Sequence, residues 1–258
     1  MEGLDEAVAL VTGAGASATE TDKSGIGREA AKRLGSEGST VVCSDIVEEG
    51  ARETAEMVEA GGGDAIAVQT DVTDPGQVES LVEETVDQYG GLDIALNCPA
   101  EIGPEMPLAE QPIEVYDEVI ETTLTSVYYS MKYELPPIVA GGGGTIVNFS
   151  SGAGLGGFPT RAPYSAAKHG ILGLTRSAAL EYAADDVRVN AVCPFAVDSS
   201  FFARASDEER EFMRNRSPVD RLAEPEEIAN VAVFLCSDDA SYVSGHPFVV
   251  DAGAMARS

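Results

Sequence analysis

The strongest indication of the fold is the stretch "VTGAGASATETDKSGIGREAAKRLG", Val11 to Gly35. Without residues 16–23 it reads "VTGAGSGIGREAAKRLG", which is a strand end, a glycine turn and the start of a helix. A glycine turn in that context is typical of dinucleotide binding, because amides at a helix N-terminus hold a pyrophosphate. The sequence therefore predicts a dinucleotide site with an eight-residue insertion, here named the inserted loop (residues 16–23). We expect it to bulge into solvent and preserve the turn.

The chain is strongly acidic. Its 258 residues include 44 Asp and Glu against 16 Lys and Arg, which gives a net charge of −28. Such a field repels nucleic acid and anionic lipid, so neither is expected as a partner. No apolar run approaches the ~18 residues of a membrane span. The N-terminus "MEGLDEAVALVTG" lacks the regions of a signal peptide, so a cytoplasmic protein is expected.

The acidic residues are dispersed through helix-like segments, and only four lysines accompany them. In dilute salt, this charge would destabilise the compact state by self-repulsion. At ~1 M salt the Debye length falls to roughly 3 Å, and the repulsion largely vanishes. We therefore expect a salt-adapted protein, with an ordinary acidic protein as the alternative.

The cysteines and histidines give no indication of a metal site. The chain has no C-x-x-C spacing and no histidine cluster. The four cysteines lie far apart, each beside apolar residues, and are expected to be buried free thiols: Cys43, Cys98, Cys193 and Cys236.

Short apolar runs alternate with helical patterns along the whole chain. Candidate strands are 7–12, 40–45, 65–71, 93–97, 145–150, 187–192 and 248–251. Helical patterns lie near 25–37, 48–60, 75–89, 112–138, 164–183 and 225–236. Apolar strands separated by helices predict an α/β fold, a doubly wound parallel sheet of about seven strands covered on both faces. We expect a single domain over residues 1–258.

Residues 194–225 form a long segment without a regular pattern, in which aromatic side chains lie among charges. Loops of this length are usually functional lids or disordered. The aromatic residues favour a substrate lid.

The glycine turn and the second strand predict which cofactor binds. Gly13, Gly25 and Gly27 would let the backbone approach a pyrophosphate, and Ser24 is expected to cap the following helix. Asp45 ends the second strand, where a carboxylate accepts hydrogen bonds from the adenosine ribose and repels a 2′-phosphate. NAD is therefore favoured over NADP. Alternatively, Asp45 caps the next helix, and Lys23 could still contact a phosphate.

The stretch "NFSSGAGLGGFPTRAPYSAAKHG" predicts the chemistry. Tyr164 and Lys168 are four residues apart at a helix start, so they share a face. An ammonium nearby lowers the phenol pKa from about 10, which would make Tyr164 a general acid and base. A serine hydroxyl on a neighbouring strand end could hold a carbonyl oxygen. This arrangement predicts hydride transfer between nicotinamide and a carbonyl carbon.

At this point the sequence closely resembles the short-chain dehydrogenase/reductase family, nearly end to end. The stretches that carry the resemblance include "TGAG…SGIGREAA", "DVTDPGQVESLV", "GTIVNFSS", "YSAAK" and "VRVNAVCPFAV". The resemblance implies a Rossmann fold and a homotetramer. It also implies Ser151 as the carbonyl-binding hydroxyl, Tyr164 as general acid and base, and Lys168 as a contact to the nicotinamide ribose.

The resemblance further implies a set of cofactor contacts. Asp71 and Val72 would flank adenine, Asn97 would lie on the adenosine side, and Val197 and Ser199 would meet the carboxamide. The glycine-turn contacts expected are Gly13, Ser24, Gly25, Ile26 and Gly27.

The sequence departs from the family pattern at four places. These are the inserted loop, Ala100 in "NCPA" in place of a glycine, Phe195 after Pro194 in place of a glycine, and Thr123 in place of a catalytic asparagine. A threonine hydroxyl can bind the water of a proton relay but lacks the reach of an amide. An active enzyme with an altered pocket and a weakly active relative both fit these departures.

We expect an NAD(H)-dependent enzyme that interconverts a secondary alcohol and a ketone, because Ser151, Tyr164 and Lys168 are all present. A 3-oxoacyl thioester reductase is an alternative, although such enzymes normally prefer NADPH and Asp45 argues against that cofactor. A non-catalytic NAD-binding scaffold is the second alternative.

Overall fold

The computed structural model describes residues 1–15 and 23–256 of the chain. In that part, seven parallel strands form one sheet in the order β3-β2-β1-β4-β5-β6-β7. The strand order reverses between β1 and β4, which creates the crevice where open α/β sheets bind ligands. The strands are β1 (Val8–Thr12), β2 (Thr40–Asp45), β3 (Asp64–Gln69), β4 (Ile94–Asn97), β5 (Gly144–Phe149), β6 (Val187–Pro194) and β7 (Pro247–Val250).

Helices cover both faces of this sheet, so the predicted doubly wound fold is confirmed. One face packs against α1, α2 and α8, and the other packs against α3, α5 and α6. The helices are α1 (Ile26–Ser36), α2 (Glu48–Ala60), α3 (Pro75–Tyr89), α4 (Ile113–Ile120), α5 (Ser126–Ala140), α6 (Ala162–Glu181), α7 (Asp207–Arg216) and α8 (Pro225–Cys236).

Alternate residues of each strand enter two separate cores, because successive side chains point to opposite faces. Val11 packs in the cluster that contains Leu34 and Ile228. Leu10 packs in the cluster that contains Ile138 on the other face. All five residues of β1 are buried. Burial of each such aliphatic side chain contributes roughly 1.5–3 kcal/mol, which explains why these strands read as continuous apolar runs.

Two regions differ from the expectation. The helical pattern over 112–138 is divided, because a π-helical segment, Glu121–Thr125, separates α4 from α5. The lid segment 194–225 is not irregular throughout, since it contains α7. Ser206 and Glu209 form a reciprocal capping box at the start of α7, and the sequence "SDEE" carries that pattern.

The cysteines are free thiols. Three of them are buried, whereas Cys98 is only partly buried and lines the cavity described below, which corrects the expectation for that residue. Among the described helices, none is long and apolar enough to cross a bilayer.

Candidate active site

A cavity of about 1010 Å³ lies along the carboxyl ends of the strands. Its adenosine end, as we name it from the expected cofactor, is lined by the glycine turn after β1 and by the ends of β2 and β3. Its catalytic end is lined by the residues that follow β5, the start of α6 and the lid segment. The topological switch of the sheet and the predicted site therefore coincide.

The glycine turn has the close backbone approach that a dinucleotide site needs. Gly13 adopts a φ of +69°, in the left-handed region that favours glycine. A Cβ on Gly27 would overlap the carbonyl oxygen of Gly13, so the start of α1 packs against the turn only because residue 27 is glycine. Gly13, Gly25, Ile26 and Gly27 all line the cavity. The turn fits a pyrophosphate at the N-terminus of α1.

Asp45 lies at the adenosine end and is fixed by the backbone on both sides. Its Oδ2 accepts from the amide of Gly15 at 2.9 Å, and its Oδ1 accepts from the amide of Val47 at 3.0 Å. A Cβ on Gly15 would lie 2.8 Å from Cγ of Asp45. Burial raises the pKa of Asp45, although these hydrogen bonds lower it. Asp45 therefore fixes the residue before α2 but does not cap that helix, whose N-cap is Val47, and it also lines the cavity.

The rest of the adenosine end carries no positive charge within the described chain. Asp71 and Val72 line it as expected, together with Ile46 beside Asp45. Lys23 forms an ion pair with Asp198 and does not line the cavity. The rest of the inserted loop, residues 16–22, lies outside the described residues.

Two expected cofactor contacts do not line the cavity. Ser24 does not cap α1, because its hydroxyl donates to Oε1 of Glu29 at 2.5 Å and the N-cap position belongs to Gly25. Asn97 is buried beneath the cavity, where its amide oxygen accepts from Thr12 and its amide nitrogen donates to Asn148. Val197 and Ser199 do line the cavity.

The three expected catalytic residues line one wall of the catalytic end: Ser151 follows β5, and Tyr164 and Lys168 lie on the first turns of α6. The ammonium of Lys168 donates to the carbonyl of Phe149 at 2.7 Å and lies 5.5 Å from the centroid of the Tyr164 ring. The Ser151 hydroxyl lies near the Tyr164 phenol and favours a lower pKa for it. Hydroxyl, phenol and ammonium are therefore adjacent.

The pKa values at this wall differ from the expectation. Burial raises the pKa of Tyr164 to about 12, against the smaller lowering effects of the nearby Ser151 hydroxyl and the Arg161 charge. Burial also lowers the pKa of Lys168 to about 8. The protein alone therefore does not lower the phenol pKa through Lys168, because the cost of burying a phenolate outweighs the nearby charges.

Thr123 lies at the centre of the π-helical segment but not in the cavity wall. It is fully buried. Its hydroxyl accepts from the amide of Glu101 and donates to the carbonyl of Glu101, both at 2.9 Å. The expectation that this hydroxyl holds a relay water is therefore corrected. Thr123 positions the loop that follows β4.

The sequence reasoning missed a buried carboxyl under the site. Glu134 on α5 accepts from the amide nitrogen of Asn97 at 3.1 Å through Oε2, while Oε1 has no partner in the described chain. Burial raises the pKa of Glu134 to about 7, and the Asn97 hydrogen bond only partly offsets this. An acid inside the apolar pattern "MKYELPPIV" is the only sign of it in the sequence.

The reasoning also missed an ion cluster at the catalytic end. Arg161 donates to the carbonyl of Gly103, and its guanidinium lies 3.4 Å from Glu209 and 3.7 Å from Glu105. Glu209 belongs to α7. Arg161 therefore connects the residues just before Tyr164 to the lid segment and to the loop after β4.

The lid segment contributes an apolar wall to the catalytic end. Phe195, the departure after β6, lines the cavity beside the guanidinium of Arg216, and Ala100 also lines it. The apolar side chains at this end are Ile102, Phe158, Phe195, Phe201, Phe202, Phe212 and Met213.

Comparisons with known proteins find relatives over nearly the whole chain. The family model described as "Enoyl-(Acyl carrier protein) reductase" matches residues 21–255. Cyclohexanol dehydrogenase of Acinetobacter sp. (strain SE19) is 42% identical over 244 residues, which covers 95% of this chain and 93% of that protein. Cis-4-hydroxycyclohexanecarboxylate dehydrogenase of Sinomonas cyclohexanicum is 40% identical, covering 98% of each.

A 3-oxoacyl-[acyl-carrier-protein] reductase of Staphylococcus aureus (strain Mu50 / ATCC 700699) is 36% identical, covering 95% of this chain and 96% of that protein. The crystal structure of levodione reductase superposes with a TM-score of 0.91 at 31% identity, covering 98% of this chain and 99% of that one. The chain therefore belongs to the short-chain dehydrogenase/reductase family. It is an enzyme of the alcohol dehydrogenase and ketone reductase class that uses a nicotinamide cofactor.

Proposed function

We propose that this enzyme interconverts a cyclic secondary alcohol and the corresponding ketone with NAD(H). The observation that carries the proposal is the placement of Ser151, Tyr164 and Lys168 on one wall of the cavity that also contains the glycine turn. Hydroxyl, phenol and ammonium in contact with one cavity are the groups that carbonyl reduction requires.

The residues of the adenosine end suit NAD better than NADP. Gly13, Gly25 and Gly27 would hold the pyrophosphate, and Asp45 would accept from the adenosine ribose. A 2′-phosphate would meet the carboxylate of Asp45 and no compensating cation among the described lining residues. This charge arrangement supports NAD.

When bound, the nicotinamide ring supplies the hydride acceptor or donor and, in its oxidised form, a positive charge at the catalytic end. The Ser151 hydroxyl would hold the substrate oxygen beside the phenol. In reduction, Tyr164 gives its proton to that oxygen, and in oxidation its phenolate takes the hydroxyl proton. Lys168 keeps positive charge behind the phenol, and its bond to the carbonyl of Phe149 fixes its position.

The raised pKa of Tyr164 favours its proton-donating form at neutral pH. Oxidation requires the phenolate, so its rate should rise toward alkaline pH, where more of the phenol is ionised. Reduction should be fastest at neutral or lower pH for the same reason.

The substrate class follows from the apolar wall and from the relatives. Aromatic and aliphatic side chains surround the catalytic end, which suits a compact hydrocarbon ring. The Acinetobacter and Sinomonas relatives are named for cyclohexanol and for a hydroxycyclohexanecarboxylate. Reduction of 3-oxoacyl thioesters is the second candidate, because the Staphylococcus relative is named for it. Asp45 disfavours the NADPH such reductases normally prefer.

We also propose that residues 194–225 act as the substrate lid, that residues 1–258 form a single domain and that the enzyme is a homotetramer. The lid is supported by the lining residues it contributes to the catalytic end. The tetramer is supported by large apolar side chains exposed on α4, α6 and β7, namely Ile113, Tyr116, Leu180 and Val249. Sedimentation velocity in molar KCl tests the assembly.

Absorbance at 340 nm tests the reaction. The wild-type enzyme should reduce NAD with cyclohexanol in molar KCl, and Tyr164→Phe should lower kcat by about 100-fold or more, because the phenol gives and takes the proton of the substrate oxygen. Tyr242→Phe, a fully exposed position, is the matched control and should leave kcat unchanged. Bound NADH without turnover of cyclohexanol, acyl thioesters or other alcohols would instead identify the non-catalytic scaffold.

A further inference from the structure

The catalytic end of the cavity contains three cations among the described residues, and two of them are already engaged. Lys168 donates to a backbone carbonyl, and Arg161 lies between the carboxylates of Glu105 and Glu209. Arg216 differs from both. Within the described residues, no carboxylate oxygen lies within 4.0 Å of its guanidinium and no hydrogen-bond partner faces it.

Arg216 ends α7 and is held by aromatic rings instead of by charge. Its guanidinium carbon lies 5.6 Å from the centroid of the Phe212 ring and 5.9 Å from that of Phe195. Stacking of this kind uses the face of the guanidinium and leaves the N–H groups at its edge available. Phe195 stands where the family pattern has glycine, so this departure supplies one of the two rings.

The local charge is opposite to that of the whole chain. The three cations at the catalytic end outnumber the two carboxylates there, Glu105 and Glu209. The chain as a whole carries −28. A cavity end whose cations outnumber its carboxylates attracts an anion.

We propose that Arg216 binds an anionic group of the substrate, so that the enzyme acts on a ring-shaped secondary alcohol or ketone that carries a carboxylate. The edge of the guanidinium presents parallel N–H donors that match the two oxygens of a carboxylate. The ring of the substrate then occupies the apolar wall while its hydroxyl carbon faces Ser151 and Tyr164. This inference rests on the proposed function for its reacting end.

The kinetic test compares two substrates that differ only in the charged group, cyclohexanol and 4-hydroxycyclohexanecarboxylate, at one fixed KCl concentration. Wild-type kcat/KM should be at least about tenfold higher for the carboxylate. Arg216→Gln should lower the ratio of kcat/KM for the carboxylate to kcat/KM for cyclohexanol by about tenfold, through KM of the carboxylate. Arg214→Gln is the matched control, because Arg214 lies on the same helix, pairs with Asp220 and does not line the cavity.

A binding measurement separates this inference from the proposed function. Calorimetry on the NAD-saturated enzyme should detect cyclohexanecarboxylate binding, and weaker binding of the neutral cyclohexanecarboxamide. The preference for the carboxylate over the carboxamide should disappear in Arg216→Gln and persist in Arg214→Gln. Preferential binding without turnover would support the anion site and overturn the proposed reaction.

Three results would overturn the anion site. One is equal wild-type binding of the carboxylate and the carboxamide. Another is an Arg216→Gln variant that keeps the carboxylate preference. The third is a loss of thermal stability in Arg216→Gln with unchanged substrate preference. That result would mean that the Arg216 charge only stabilises the C-terminus of α7.

Discussion

The amide of Gly15 donates a 2.9 Å hydrogen bond to Oδ2 of Asp45, so the glycine turn and the end of β2 are fixed to each other. The other oxygen of the Asp45 carboxyl accepts a hydrogen bond from the amide of Val47, the residue just before α2. One side chain therefore shapes the turn and gives the adenosine end its negative charge. The inserted loop begins directly after this contact, which keeps the turn in place despite the added chain.

Asp45→Asn should weaken the discrimination between NAD and NADP. It removes the charge that would repel a 2′-phosphate and retains one acceptor for the backbone amides. We expect the ratio of kcat/KM values for NADP and NAD to rise by about tenfold or more, from coenzyme titrations at fixed alcohol. Glu48→Gln, an exposed neighbour outside the cavity, controls for net charge. An unchanged ratio would mean that Asp45 acts only on the backbone.

Thr123→Val should destabilise the enzyme, because it leaves the amide and the carbonyl of Glu101 without their buried partner. We expect the free energy of unfolding to fall by about 2 kcal/mol, measured by urea denaturation. Thr123→Ser keeps both hydrogen bonds, so its free energy of unfolding should stay close to that of the wild type. Equal stability of the valine and serine variants would show that these bonds contribute little.

Glu134→Gln should stabilise the enzyme at alkaline pH and have little effect at pH 5. The pKa of Glu134 is about 7 when folded and about 4.3 when unfolded, so the folded state holds the proton more tightly. The contribution of the Glu134 proton to the free energy of unfolding is fully present below pH 4 and is lost as the pH rises to 7. The glutamine is neutral throughout and avoids that loss, which is on the order of 3–4 kcal/mol at pH 8.

Thermal melts of Glu134→Gln and wild type at pH 5 and pH 8 measure this difference. We expect the two melting temperatures to diverge by about 5 °C or more at pH 8. A constant difference at both pH values would show that Glu134 does not titrate in this range.

Molar salt should stabilise the wild-type enzyme. With a net charge of −28, the acidic side chains repel one another in dilute buffer. In ~1 M KCl the range of that repulsion falls to roughly 3 Å. We expect the melting temperature to increase between 0.1 M and 2 M KCl. The same melts in 2 M sorbitol control for osmotic stabilisation, and equal stability at both KCl concentrations would remove the case for salt adaptation.

The sheet was predictable because its strands are buried on both faces and read as apolar runs. Each predicted strand lies within two residues of the observed one. The wall that contains Ser151, Tyr164 and Lys168 was also predictable, since the residues follow one strand and begin one helix. Local sequence is sufficient where spacing along one or two elements sets the geometry.

Features that depend on packing between distant segments were not predictable. Thr123 stands in place of a catalytic asparagine, but its hydroxyl meets the backbone of Glu101, which follows another strand. The pKa of Tyr164 is set by burial, which residue spacing does not reveal. Arg161 gains its partners from the loop after β4 and from α7, and the role of Glu134 becomes evident only once its burial is known.

Asp198 accepts hydrogen bonds from Lys23, the last residue of the inserted loop, and from Arg210 of α7. These two bonds hold its pKa low, despite the opposing effect of burial. Opening of the proposed lid would therefore break the bond between Arg210 and Asp198 or carry Asp198 and Lys23 with it. We expect ligand exit to be slow in dilute buffer and faster in brine, where ions compete for that carboxylate.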